Sequence, residues 1–462
     1  MSAPAIGASD IEGIVWPPLL VGESAQLAAL VAGLESSQWL GRAELEAAQG
    51  EQLGRVALHL SRQSPAFAAR LRSAGMRAAD LGRIDRLAGL PVLRRRELQA
   101  AGADFFARRV PQDHQPIGET KTSGSTGEPV TLRRTQVSRL FWAACTLRDH
   151  LWQGRDLSGR MTSIRPTNPH YVEMDDWGYP VATLYATGPA QAMVSTHGID
   201  EQVELIDRFL PQSVLAFPTN LRALADIWKA RGRVPAGLRH LRTVGETVSE
   251  ELRAHVEAAT GLALEDNYSS QEAGVIALQC PASGLYHVMA ESLVVEVLDD
   301  DGEPCADGEV GRVVITDLHN FASPLVRYDI GDYAEVGGSC SCGRALPTLR
   351  RIRGRERNLL IKPDGTRHWP LVGFHRFEQV APVQQYQVVQ LSLEEIELKV
   401  VTAAPLSDAA AGALGEIVRR ALDFPGRVRV EQSRIRLPVS RSGKFEEFVC
   451  HVRDVPPPRP AP

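Results

Sequence analysis

Lysine is scarce in this chain: only five of its 51 basic residues are lysine, at positions 121, 229, 362, 399 and 444, and the rest are arginine. A bias of this kind is a compositional habit, but it makes each lysine informative. Long apolar runs are missing as well. None approaches the ~18–20 residues that a membrane helix needs, so no membrane partner is expected. No basic residue precedes Arg42, and the charged start of a secretory signal is therefore not expected. Basic charge is not in excess. A net charge of −5 and an isoelectric point near 6.2 leave no electrostatic footprint for nucleic acid. The six cysteines are scattered between positions 145 and 450, which is no disulfide framework. No internal repeat is visible. These absences lead to the expectation of a cytoplasmic enzyme.

What is present is ordinary for a globular protein: 44% hydrophobic and 23% charged residues in 462. At ~150 residues per domain the length suggests about three structural units, ample to bury a core without disulfides. Residues 20–110 read as helices, with Leu27, Leu30, Val31 and Leu34, then Leu53, Val56 and Leu60, at helical spacing. Pro91 and the block Arg94-Arg95-Arg96-Glu97 punctuate the end of that region. Short apolar runs then alternate with helical patterns. Ser213–Phe217 reads as a strand ending at Pro218, residues 221–228 as a helix, His240–Val244 as a strand running into Gly245, and Ser249–Ala258 as a helix. That alternation predicts a largely parallel sheet. Past residue 290 the pattern becomes strand-rich, with a hairpin turn at Asp299–Glu303. Arg351–Arg357 reads as a charged linker. Beyond it, two strands, a helix and a further strand make a small unit, and the proline-rich end from Val455 is expected to be disordered.

Thr122-Ser123-Gly124-Ser125-Thr126-Gly127-Glu128-Pro129 combines two glycines with four hydroxyl side chains. Such a loop can present backbone N–H groups and hydroxyls to phosphate oxygens. It is not a Walker A loop, because no Lys-Ser/Thr follows the second glycine. A generic Ser/Gly stretch would be a flexible linker, but this order resembles the phosphate loop of adenylate-forming enzymes. Four further segments follow in the order that family requires. Val244-Gly245-Glu246-Thr247 resembles its adenine-side motif, and Asp266-Asn267-Tyr268-Ser269-Ser270-Gln271-Glu272 its Asp-x-Tyr-Gly-x-Ser/Thr-Glu segment. Arg327-Tyr328-Asp329-Ile330-Gly331-Asp332 resembles Arg-Tyr-x-Thr-Gly-Asp, and Pro438–Lys444 the C-terminal motif ending in Gly-Lys. The resemblance spans roughly residues 85–450 and is nearest to the phenylacetate–coenzyme A ligase branch.

That resemblance implies an α/β fold. Residues 1–353 would form a large adenylation domain, with parallel-rich sheets, helices and a β-rich subdomain. Residues 354–454 would form a small mobile α+β domain, and residues 455–462 a disordered tail. It implies ATP and Mg²⁺ as cofactors, a small carboxylic acid (aryl in character) as substrate and an acyl acceptor such as coenzyme A. Glu272 would hold Mg²⁺, Asp332 the ribose hydroxyls, and Glu246 with Tyr268 the adenine. Gly245, Thr247, Asn267, Ser269 and Arg355 join Thr122–Gly127 as nucleotide-binding residues. Lys444 would bridge the carboxylate and α-phosphate oxygens. Each acidic residue alone reads as a solvated carboxylate; their ordered set reverses that. The segment Ile164-Arg165-Pro166-Thr167-Asn168-Pro169-His170-Tyr171 falls where relatives place acyl-pocket residues, and its aromatic and polar character would suit an aryl acid; His170, Tyr171, Phe217 and Pro218 are the candidates drawn from this side, although a plain loop serves any one of them equally. A homodimer is a further expectation.

Cys280-x6-His287 and Cys340-x-Cys342 supply four ligands suited to tetrahedral zinc. Spacing alone fits buried thiols and a surface histidine as well, and similar spacing in some relatives of the branch tips the reading toward a structural Zn²⁺. Cys145, Cys305 and Cys450 read as packing residues.

One departure stands out. The family's hinge reads Gly-Arg-x-Asp-Asp, and here Gly354-Arg355-Glu356-Arg357-Asn358 puts arginine at the hinge position. Residues 362–370 also differ from the relatives and carry an extra turn. The adenylation residues are retained, so adenylate formation is expected to be robust and thioester formation with free coenzyme A slow or absent. The acceptor then stays open among a thiol, an amine, a hydroxyl and a carrier protein. A non-catalytic nucleotide-binding protein is the rival from another class; retention of Glu272 with Lys444 argues against it.

Overall fold

The structure, a computed structural model, describes residues 6–121, 130–355, 358–368, 370, 374–438 and 445–452. The glycine-rich segment 122–129, Arg357, Lys444 and the 455–462 tail lie outside the described residues. The chain divides into two compact units, one made of Met1–Gly245 with Val256–Ile352 and the other of Glu246–His255 with Arg353–Pro462.

The first unit opens with the helices Gly22–Ser37, Arg42–Gln63 and Pro65–Ser73. Along the second of these, Leu53, Val56 and Leu60 share one face and bury completely against Phe67, Leu71, Leu81 and Leu87. The break before the third helix is local chemistry. The Ser64 hydroxyl caps the Phe67 N–H at 3.2 Å, and Pro65 takes the first helical position, where its missing N–H is not needed.

A six-stranded sheet follows. Its order is Tyr171–Met174, Ala190–Val194, Met161–Arg165, Ser213–Ala216, His240–Thr243, Leu264–Glu265. All pairings are parallel except that of the edge strand Tyr171–Met174. The inner strands read as short apolar runs because both faces are covered: Val214, Ala216 and Leu241 have no exposure. The helices Pro218–Ala230 and Glu250–Thr260 follow their strands as the alternation predicts.

A seven-stranded, mostly antiparallel sheet completes the unit, running from Leu293–Leu298 at one edge to Asn267–Ser270 at the other. The turn expected at Asp299–Glu303 is there, closed by the Asp299 N–H on the Glu303 carbonyl at 2.9 Å with Gly302 at φ 89°. The charged stretch from Arg351, within which the two units divide, is strand rather than irregular chain as far as Arg355. It continues the strand Thr348–Arg355, because Thr348 and Leu349 pair with His287 and Tyr286 and bury while the arginines beyond them stay partly or fully exposed. Charge in that run marks an outward face.

The second unit has a four-stranded sheet in the order Arg427–Ser433, Glu395–Thr402, Val383–Gln390, Phe448–Cys450. The helix Asp408–Ala421 sends Leu414 and Val418 into a core with Val388, Leu398 and Phe424.

Candidate active site and metal centre

Five parallel strands of the first unit end side by side, and the candidate residues leave from among those ends. Open α/β sheets bind ligands in the crevice beyond the carboxyl ends of their strands. Ser213–Ala216 runs into Phe217, with Pro218 at the first turn of the next helix. His240–Thr243 runs through Val244 to Gly245, whose φ of 81° lets the chain turn away where a side chain would be strained. Leu264–Glu265 passes through the single residue Asp266 into Asn267–Ser270 of the other sheet.

Asp266 is buried and fully used. It accepts the Tyr286 hydroxyl at 2.6 Å and the Thr243 hydroxyl, while its own N–H donates to Gln279 Oε1 at 2.9 Å. Tyr268 and Asp332, both buried, meet through the Tyr268 hydroxyl, which donates to Asp332 Oδ2 at 2.8 Å. Ser269 Oγ donates to Asn267 Oδ1 at 3.2 Å. Glu272 is only 3% exposed, with Arg95 Nη1 3.7 Å from its Oε1. Burial and the Glu272 carboxylate together keep the neighbouring Tyr328 phenol protonated well past its usual range. Gly274 holds φ 78°, and a Cβ there would come within 3.0 Å of Arg134 Nη2 and 3.5 Å of the Trp142 ring.

Below these ends lies a buried charge cluster. Asp149 Oδ2 accepts from Arg155 Nη1 and Arg242 Nη2, each at 2.7 Å, and Glu265 Oε2 accepts from Arg155 Nε at 2.9 Å. His240 Nδ1 lies 2.5 Å from Glu265 Oε1. Burial pushes the Asp149 carboxyl up, but its two guanidiniums outweigh this and hold it below the usual range. Burial, then the same arginines, keep His150 neutral. The cluster ties the end of helix Gln136–Trp152 to the two strands from which Gly245 and Asp266 emerge.

Other expected residues are spread out. Thr247 is exposed, and Glu246 belongs to the second unit, where its Oε1 accepts the Phe445 N–H at 2.7 Å. Arg355 donates its backbone N–H to Asn358 Oδ1 at 3.3 Å. Phe217 and Pro218 are buried at an inner strand end, whereas exposed His170 and half-buried Tyr171 sit on the edge strand side, with two strands between. The four are not brought together as one pocket. Two arginines outside the candidate set sit here as well: Arg95, whose signal was its place in a three-arginine block, and Arg165, which ends an inner strand and belongs to the segment 164–171 that relatives use for the acyl pocket.

Cys280, His287, Cys340 and Cys342 do converge, their ligand atoms all within 4.8 Å of one another. The Sγ atoms of Cys280 and Cys340 are 3.6 Å apart, and Cys342 Sγ is 3.2 Å from His287 Nε2. A tetrahedron with metal–sulfur bonds of about 2.3 Å and metal–nitrogen bonds of about 2.0 Å has edges of roughly 3.5–3.8 Å. The three cysteines are free thiols, with no disulfide among them. Turns at Gly284 (φ 76°) and Gly343 (φ 82°) bend both pairs inward. His287 Nδ1 donates to the Leu346 carbonyl at 3.4 Å, which leaves the Nε2 lone pair to face the sulfurs.

No family model matches the chain. It is similar to the phenylacetate–coenzyme A ligase of Thermus thermophilus, 26% identical over 398 residues that cover 79% of this chain and 83% of that protein. The phenylacetate–coenzyme A ligase of Pseudomonas putida is 26% identical over 336 residues, covering 69% and 73%. Among solved structures, 2-hydroxyisobutyryl-CoA ligase in its postadenylation state superposes with a TM-score of 0.72 at 19% identity, covering 90% of this chain and 91% of that one. That likeness establishes the fold. Among the described residues, no helix is long and apolar enough to cross a membrane.

Proposed function

The chain belongs to the adenylate-forming superfamily, in its phenylacetate–coenzyme A ligase-like branch, and we propose from that premise that it activates a small, aryl-type carboxylic acid with ATP and passes the acyl group to coenzyme A. In the first step a carboxylate oxygen attacks the α-phosphorus. That O–P bond forms as the bond to the bridging oxygen breaks, and pyrophosphate leaves with the electron pair. Two anions meet, so positive charge and oriented donors must lower the barrier.

The residues suit these tasks. Glu272 offers a hard carboxylate for Mg²⁺, which supplies charge neutralisation at the phosphoryl oxygens. Asp332 would accept from the ribose hydroxyls, its carboxylate oriented by the Tyr268 hydroxyl. Thr122–Gly127 would wrap the phosphates, and Lys444 would bridge the two reacting anions. The observation that carries the reading is the 2.8 Å Tyr268–Asp332 bond. It joins two of the ordered motifs into one buried pair beyond the strand ends, where a merely structural aspartate would be costly. Pyrophosphate release across a panel of acids tests it, and a chain that releases none with any acid is not an adenylating enzyme.

The coenzyme A step is supported by the activities named for the relatives. A second reading, transfer to an amine, a hydroxyl or a carrier protein, is favoured by Arg357 in place of the hinge aspartate. Rapid thioester formation, followed by mass with a competent acid, decides for coenzyme A; a stalled adenylate decides for the other acceptors. For the cysteine cluster we propose a closed structural Zn²⁺ site on Cys280, His287, Cys340 and Cys342, whose donor set and spacing suit that ion.

A further inference from the structure

Arg165 is the last residue of the strand Met161–Arg165, which lies inside the six-stranded sheet between Ala190–Val194 and Ser213–Ala216. Alternation along the strand buries Thr162 and Ile164 completely on one face and sets Met161, Ser163 and Arg165, partly buried, on the other. The chain beyond Arg165 is pinned over the strand ends, because Asn168 Nδ2 donates to the Ser163 carbonyl at 2.9 Å and the Met193 carbonyl at 3.2 Å. Arg165 Nε is enclosed and has no hydrogen-bond partner. Among the described residues no carboxylate pairs with its guanidinium. Four more deeply buried arginines of this unit are paired, Arg148 with Glu291, Arg155 with Asp149 and Glu265, Arg242 with Asp149 and Arg327 with Glu296, whereas Arg134 and Arg312, like Arg165, enclose an Nε without a hydrogen-bond partner. A partly buried charge without a counter-charge is less well solvated than a free one, and an arriving anion gains a charge-assisted bond there.

The sheet register says what anion that is. Ser163 lies opposite Leu215, which sets Arg165 level with Phe217, and Ala216 lies opposite Thr243, which sets Phe217 level with Val244, next to Gly245. At about 5 Å per strand, Arg165 is roughly 10 Å from the strand end at which the nucleotide-side residues begin. An acid held by its reacting carboxylate at that end, with its body along Phe217, would bring its far end to Arg165. We propose that Arg165 is a specificity residue that binds a second carboxylate, so that the preferred substrates are rigid diacids, such as carboxy-substituted aryl acids, rather than the monoacids. This rests on the adenylation reading above and names its substrate class.

The test measures pyrophosphate release with matched pairs, benzoate against terephthalate and phenylacetate against 4-carboxyphenylacetate, in the full chain and in Arg165→Gln and Arg165→Lys. The expected result is a diacid-over-monoacid preference in kcat/KM of about 10–10²-fold, the scale of a charge-assisted hydrogen-bonded pair. Arg165→Gln should abolish that preference and Arg165→Lys retain part of it. Equal turnover of both members of each pair by the unmodified chain overturns the inference and leaves adenylation standing. Pyrophosphate release with none of the acids removes both. If Arg165→Gln does not fold, the ratio in the unmodified chain and in Arg165→Lys still decides.

Discussion

The Tyr268 hydroxyl is one atom, yet it holds the carboxylate on which nucleotide binding is proposed to depend. Tyr268→Phe removes that atom and leaves the ring. Loss of one hydrogen bond to a charged group is worth about 1.5–3 kcal/mol, so KM for ATP should rise by about 10–10²-fold with the acid KM little changed. Steady-state kinetics with each substrate varied in turn would expose the asymmetry, and an equal rise in both KM values would mean that the hydroxyl serves the fold. The cysteine centre makes a complementary case. Purified protein should carry about one zinc per chain. Cys342→Ser should lose that metal and melt at lower temperature while the folded fraction still releases pyrophosphate, because a closed four-ligand site offers no position to substrate. Metal analysis alongside calorimetry separates this from a catalytic ion, whose loss would abolish turnover in the folded fraction.

Elements rather than single residues carry the electrostatics. Asp149, at the end of one helix, neutralises guanidiniums from a following loop and from a sheet strand. Asp149→Asn strips the counter-charge from Arg155 and Arg242 together, and breaking a buried pair in this way costs about 3–5 kcal/mol. Chemical denaturation should show it, and a loss below about 1 kcal/mol would mean that the cluster is already hydrated. A second group of elements is poised against acid. His59 and His114 flank the Phe321 ring at centroid distances of 5.0 and 4.4 Å, and His319 stacks on Phe141 at 3.7 Å. Burial lowers all three, His319 to about 4. A folded-state pKa below the unfolded value near 6.5 means that the unfolded chain binds more protons as pH drops. Stability should therefore be full above about pH 6.5 and fall steadily from there toward pH 4. Melting temperatures across that range check it, and His319→Gln should flatten the slope.

How much of this the sequence revealed depends on the range of the interaction. The parallel strands were legible because Ser213–Ala216 and His240–Thr243 are short apolar runs stopped by Pro218 and Gly245, which are local signals. The segment from Asp266 to Glu272 was legible because its residue types and spacing sit in one stretch. The strand Thr348–Arg355 was misread because its exposed arginines dominate the composition while the pairing of Thr348 and Leu349 is set by a distant strand. Arg165 was legible only as one member of the segment 164–171, since strand order is what sets it level with Phe217, and Arg95 was invisible, since the packing of a remote helix turn brings it to Glu272.

At the scale of the whole molecule, chemistry is proposed to need a residue from the C-terminal segment as well as the first unit. Lys444→Ala should cut pyrophosphate release by about 10²–10³-fold, the usual effect of losing one transition-state stabiliser, while the protein still folds and still binds ATP. Near-normal release by that variant would remove the lysine from the mechanism.

The single-residue passage at Asp266 has a consequence for how such a chain can vary in length. Glu265 ends in one sheet and Asn267 starts in the next, so the crossing works as a ruler with no slack. One added residue there would invert the alternation of the following strand and rotate Tyr268 to the opposite face, and one removed residue would do the same. Surface loops elsewhere can lengthen at small cost because closure entropy grows slowly. Length variants recovered from random insertion libraries should accordingly avoid positions 264–268 while accumulating in turns such as Asp299–Glu303, giving a map of the molecule written in gaps.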